Sequence, residues 1–296
     1  MSANSQTLTN NATGNNMQAI LWVLSGTAVF SMIFASGKLL GGSDWVWQII
    51  FFRYLSGLAV MIAVARYQKV RLTLSPKWPM HLSRALVGGA GGCAAIYAAA
   101  NMAVADAAAI GLLDSVFAII LGMLIFRELV SVRRWLAISG CIAGAVVVLL
   151  DQGAFQAESA LGFAALAALG SAIFLALESV LIRALAVKED IIVVLLHVNF
   201  FGALLFAIPA LLIWGETDTV TKLTLCLLGP LAILGQYCNI RGYRIANLSI
   251  VAPVGYSWII FALAIDYLFF SQPLTAMLIS GSALILLSGL YLAKTP

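Results

Sequence analysis

The 296-residue chain is 62% hydrophobic and only 9% charged, with 25 glycines and a mean hydropathy of +1.04. That composition excludes an ordinary water-soluble domain and marks an integral membrane protein. The net charge of +4 does not imply a nucleic-acid partner, because the basic residues lie mainly in short gaps between apolar runs.

Residues 1–17 open with the polar stretch MSANSQTLTNNATGNN, which has no Lys or Arg. It lacks the basic start of a signal peptide and reads as a disordered cytoplasmic tail. Ten apolar runs follow, near residues 18–41, 45–65, 80–102, 104–126, 132–150, 161–183, 191–214, 223–243, 248–270 and 274–293. Each approaches the roughly 20 residues that a helix needs to cross a bilayer. The expected fold is therefore all-α, with ten transmembrane helices.

The runs form two copies, 18–150 and 161–293. Gly26-Thr27-Ala28-Val29-Phe30 in the first run matches Gly170-Ser171-Ala172-Ile173-Phe174 in the sixth at an offset of 144, and the segment 105–140 maps onto 246–281 at an offset of 141. A copy with an odd number of helices must re-enter the membrane from the opposite side. The pattern therefore predicts two inverted five-helix repeats, an organisation common in secondary transporters. Basic residues agree with this layout. If the N-terminus is inside, the inner loops carry Arg66, Lys69, Arg127, Arg133, Arg183 and Arg241 among others, while the outer loops carry Lys222 alone. Both termini are then cytoplasmic, and Asp44, Asp106, Asp151, Glu158, Glu216 and Asp218 face out.

Charges inside the apolar runs are costly, about 2.5–3.5 kcal/mol or more at the bilayer centre, so they mark a partner or an aqueous cavity. Asp114 lies near the middle of the fourth run, in AIGLLDSVFAII, and Arg53 lies in the second. Glu178 and His197 lie at similar depth near the inner ends of the sixth and seventh runs. Lys38 is near enough to the outer interface to snorkel. Asp266 near the outer end of the ninth run reads as a structural pair or a solvent contact. Two readings of Arg53 stand side by side: it receives a substrate carboxylate or phosphate, or it pairs with Asp114 to hold two helices together. His197 is either a proton partner or a histidine satisfied by a neighbouring carbonyl. Tyr97, Asn101, Gln236, Tyr256 and Trp258 add aromatic and amide groups suited to a cavity, although Trp258 could equally face lipid. The four cysteines read as small core residues, and GGAGG at 88–92 reads as close helix packing rather than a phosphate loop.

The motifs FFRYLSGL (51–58), ADAAAIGLLDSVF (105–117), RELVSVRRWLAISGCIAGAVVVLL (127–150), IRGYRIANLSIVAPVGYSW (240–258) and SGLYL (288–292) resemble the drug/metabolite transporter superfamily, in its ten-helix EamA-type branch. The resemblance implies a secondary carrier with a central cavity between two five-helix halves. The chain departs from the family where Ser115 follows Asp114 in place of a common proline, where Glu178 replaces an aromatic, and at Ser271-Gln272, which lacks the usual carboxylate. The expectation is a carrier of a small polar or zwitterionic metabolite in the inner membrane, with Asp114, Arg53, Glu178, Tyr97, Asn101, Gln236, Tyr256 and Trp258 on the substrate and Glu178 or His197 on a coupling proton. The alternative, from the wording around RRWLA, is a larger planar metabolite such as riboflavin or S-adenosylmethionine. A membrane-embedded enzyme is the remoter reading, since no HExxH, GxSxG or Walker pattern occurs. No cofactor, metal or nucleic acid is expected, and the oligomeric state is left open.

Overall fold

The structure is a computed structural model that describes residues 3–70, 73–126, 132–151, 160–186, 189–214, 218–245, 254–255, 257–271 and 274–294. These residues are overwhelmingly helical, and no strand occurs among them. Tyr256, Glu158 and Glu216 lie outside the described residues.

The elements follow the apolar runs. They are α1 (Ala3–Phe34), α2 (Ser36–Leu39), a 3-10 turn (Ser43–Trp45), α3 (Val46–Tyr67), α4 (Trp78–Asn101), α5 (Val104–Gly111), α6 (Leu113–Phe126), α7 (Val132–Asp151), α8 (Ala160–Ala186), α9 (Ile191–Leu212), α10 (Thr219–Ile245), α11 (Trp258–Phe270) and α12 (Ala276–Lys294). Five segments are long and apolar enough to cross a membrane: Met17–Phe34, Ser43–Tyr67, Gly162–Ile182, Ile191–Leu212 and Thr219–Gly242. The protein is thus a multi-pass membrane protein. α4 is less hydropathic because it carries His81, Arg84 and the GGAGG run.

Two local expectations change. The polar residues ahead of Met17 continue α1 from Ala3, where composition suggests an irregular tail. No proline interrupts them. The fourth run, expected as one helix, is two, α5 and α6, which meet at Leu112. The break is shallow, since the Leu112 N–H still donates to the Ala108 carbonyl at 3.0 Å. Asp114 thereby falls in the first turn of α6. At the offset of 141, Leu112 corresponds to Pro253.

Packing pairs the helices in a regular way. α4 lies along α8, α1 along α10, α3 on α9 and α7 on α12. Exchanging α1 with α8, α3 with α9, α4 with α10 and α7 with α12 turns α4–α8 into α1–α10 and returns α3–α9 and α7–α12 to themselves. Individual contacts repeat as well. A Cβ added at Gly91 would meet Phe174 at 3.1 Å, and one at Gly235 would meet Phe30 at 2.9 Å. Both members of these contacts are separated by 144 residues. Between α7 and α12, a Cβ at Gly144 or Gly281 would lie 2.7 or 2.8 Å from the other's carbonyl oxygen. Such backbone approach suits membrane helices, which associate through close contact rather than through expulsion of water.

Candidate functional site

The charged and polar side chains gather at three levels. At the level of the α4 and α9 N-termini, Glu189 collects groups from the segment before α4 and from the first turn of α4. The Ser75 hydroxyl donates to its Oε1, His81 Nε2 donates to its Oε2 at 2.7 Å, and Lys77 lies 4.0 Å away. Burial alone would raise the Glu189 carboxyl, but the hydrogen bonds from Ser75 and His81 and the positive charges of His81 and Lys77 outweigh it. The group is held below the usual glutamate value. His197 stacks on His81, ring centroids 4.8 Å apart. Its Nε2 accepts the Ser75 backbone N–H at 3.0 Å, so the network assigns the ring proton to Nδ1, which donates to the Val193 carbonyl at 2.8 Å. This arrangement fits the carbonyl-satisfied histidine of the two readings. A cavity of about 310 Å³ opens beside the network, lined by Thr73, Ser75, Glu189, Asp190, Val193 and His197 among others.

At the other end, Asp266 of α11 is 1% exposed and holds two groups of the first half. Its Oδ2 accepts the Ala105 N–H at 2.6 Å, and its Oδ1 lies 3.5 Å from Lys38 Nζ. Lys38 also donates to the Met102 carbonyl at 3.2 Å and sits over the Phe270 ring. Lys38 is therefore tied inward rather than snorkelling, because a buried carboxylate is within its reach. Asp106, expected to face out, is 2% exposed in the first turn of α5. The α5 helix begins two residues before it, which draws the side chain into the packed region.

Between these ends, charges line one face of α4. Glu178 of α8 pairs with Arg84, Oε1 to Nε 3.4 Å. The Glu178 carboxyl lies over bare backbone at Gly88, where an added Cβ would come within 2.5 Å of its Cδ. Four residues further on, Arg53 Nη2 lies 3.9 Å from where a Cβ of Gly92 would stand. The Arg53 guanidinium covers the Tyr54 ring at 4.5 Å. The spacing 84, 88, 92 puts these positions on the same side of a helix. Glu178 is thus not the lone carboxylate that its sequence context suggests. Arg84 was missed because it reads as an ordinary helix-end cation. The usable signal was an arginine followed at four-residue steps by two glycines, room for partners to lie against the backbone.

The other expected site residues are dispersed. Asp114 is half-buried at the start of α6. Tyr97 packs edge-on to Phe163, and Asn101 is exposed with its amide donating to the Tyr97 carbonyl at 2.8 Å. Gln236 is half-buried with Oε1 unpartnered. Trp258 stacks edge-on against Phe34 at 5.4 Å and packs on the core rather than facing lipid. Its Nε1 is buried without a hydrogen-bond partner.

The fold is that of a helical membrane protein with polar groups bridging its helices, and the sequence comparisons point to a transporter. Residues 17–150 match the EamA-like transporter family. The chain is similar to the pseudopaline exporter CntI from two strains of Pseudomonas aeruginosa, 27% and 26% identical over 285 residues, 93% of this chain and 96% of each relative. A solved crystal structure shares the fold with a TM-score of 0.63 and 18% identity, covering 93% of this chain and 98% of that one.

Proposed function

We propose that the protein is a secondary active carrier that moves a small polar or zwitterionic metabolite across the inner membrane by alternating access. Its architecture on this reading is ten transmembrane helices in two inverted five-helix repeats, 18–150 and 161–293, with both termini cytoplasmic. The paired interfaces α4–α8 and α1–α10, and the Gly91–Phe174 and Gly235–Phe30 contacts, support the repeat.

The observation that carries the carrier reading is the placing of two polar clasps between the halves at opposite ends. One joins Ser75, Lys77 and His81 to Glu189 and His197; the other joins Lys38 and Ala105 to Asp266. Alternating access needs contacts of this kind, each made while the other end opens. Both clasps are made here, which corresponds to an occluded arrangement. Glu178, facing Arg84, is the group we assign to a coupling proton. The pseudopaline exporters support export of a polar metabolite as the direction.

The test is counterflow in proteoliposomes, with radiolabelled amino acids, riboflavin and S-adenosylmethionine as probes. Saturable exchange of an amino acid supports the reading. Exchange confined to riboflavin or S-adenosylmethionine selects the larger planar class, and flux without exchange indicates a pore.

A further inference from the structure

We propose that Arg84, with Arg53, forms a subsite for the carboxylate of an organic anion, held in the empty carrier by Glu178. The proposal rests on the carrier reading and names the substrate class of its central site.

Along the α4 face run Arg84, then the Glu178 carboxylate over Gly88, then Arg53 over Gly92. Glu178, Arg53 and Tyr54 all lie close enough to Arg84 for their charges to act on it. Among the described residues, two guanidiniums and one carboxylate lie along this face, so one positive charge there has no carboxylate facing it. Arg84 is 1% exposed, and its Nε reaches only the Glu178 carboxylate at 3.4 Å, while its Nη1 and the buried Nε of Arg53 have no hydrogen-bond partner among the described residues. A buried charged donor left unpaired is expensive, more so than a neutral one. A pure helix staple would satisfy those donors with a second carboxylate or with carbonyls. A planar fork with an edge to spare fits a carboxylate, which accepts two parallel N–H bonds. The glycines serve the same end. Gly88 and Gly92 leave the backbone bare where the ligand must displace Glu178 and slide between the arginines. Lysine at 84 would retain the charge and lose the fork.

The experiment uses the full chain in lipid nanodiscs and reads thermal unfolding against succinate, aspartate and citrate, with succinamide as the neutral control and inorganic phosphate as the other oxyanion. At least one carboxylate is expected to stabilise the protein saturably while succinamide does not. Arg84→Gln should weaken that binding at least tenfold, about 1.4 kcal/mol. Glu178→Gln, which removes the competing carboxylate, should tighten it. Should Arg84→Gln fail to fold, Arg84→Lys serves, with binding weakened and the fold kept. No carboxylate response, a response to phosphate alone, or equal binding by wild type and the Arg84 variants would overturn the proposal. Counterflow separates the two claims. Exchange of a substrate with no carboxylate that Arg84→Lys leaves untouched retains the carrier and removes the subsite. Carboxylate binding that depends on Arg84 without any exchange retains the subsite and removes the carrier.

Discussion

Replacing Asp266 with asparagine should open the end of the protein where Lys38 lies. The amide oxygen can still accept the Ala105 N–H, now at 2.6 Å from Oδ2, so the backbone contact survives and the charge is lost. The lost attraction acts across 3.5 Å, about 4–5 kcal/mol gross at an effective dielectric constant of about 20. Lys38 is 17% exposed, and desolvation and screening reduce the net to about 1–2 kcal/mol. A factor of about 5–30 in the open-to-closed ratio follows. Met102, which is 4% exposed and whose carbonyl holds Lys38, makes the reporter. In a background with the four native cysteines replaced, Met102→Cys should react with a membrane-impermeant maleimide 5–30 times faster when Asp266→Asn is added. Unchanged labelling would refute the clasp, whatever happened to thermal stability.

Gly91→Ala and Gly235→Ala should each cost about 1–3 kcal/mol in thermal unfolding, since each new methyl meets a neighbour at about 3 Å. Gly170→Ala meets open space and should be neutral or stabilising by about 0.5–1 kcal/mol; losses that do not follow this pattern would speak against the packing. His197→Ala should lower stability by about 1–3 kcal/mol, because it orphans the Ser75 N–H, and should leave the pH profile of exchange in place. A flattened profile would restore His197 as the proton carrier. Glu189, whose carboxyl is held below its ordinary value, should contribute stability at pH values above about 4.3 and lose it as pH falls below that. Glu189→Gln should remove this acid-side loss; an unchanged unfolding curve below pH 5 would contradict the assignment.

Hydropathy marked the five segments long and apolar enough to cross a membrane, because desolvation is averaged over some 20 residues and tolerates local error. Where one residue decides, it was less informative. Leu112 breaks the fourth run without a proline or an unusual dihedral, so neighbouring packing rather than local chemistry sets the break. The proposed repeat rests on the same apolar spacing recurring at constant offset. The site was legible only in part. Arg53 and Glu178 stand out as charges in greasy helix, but their relation depends on Arg84 and on the bare backbone at Gly88, a contact between chain segments almost 100 residues apart that no local pattern encodes. Lys38 and Asp266 are 228 residues apart, and each taken singly reads as an interfacial charge.

Alternating access is tested most directly by paired distance measurements with spin labels at both ends of one protein. One label pair would sit on exposed Tyr67 and Asp190 beside the Glu189 clasp, the other on exposed Leu39 and Tyr267 beside the Asp266 clasp. The account predicts two populations at each end, with Asp266→Asn lengthening the Leu39–Tyr267 distance while the Tyr67–Asp190 distance shortens or stays short. A single fixed distance at both ends, or lengthening at both ends together, would contradict it.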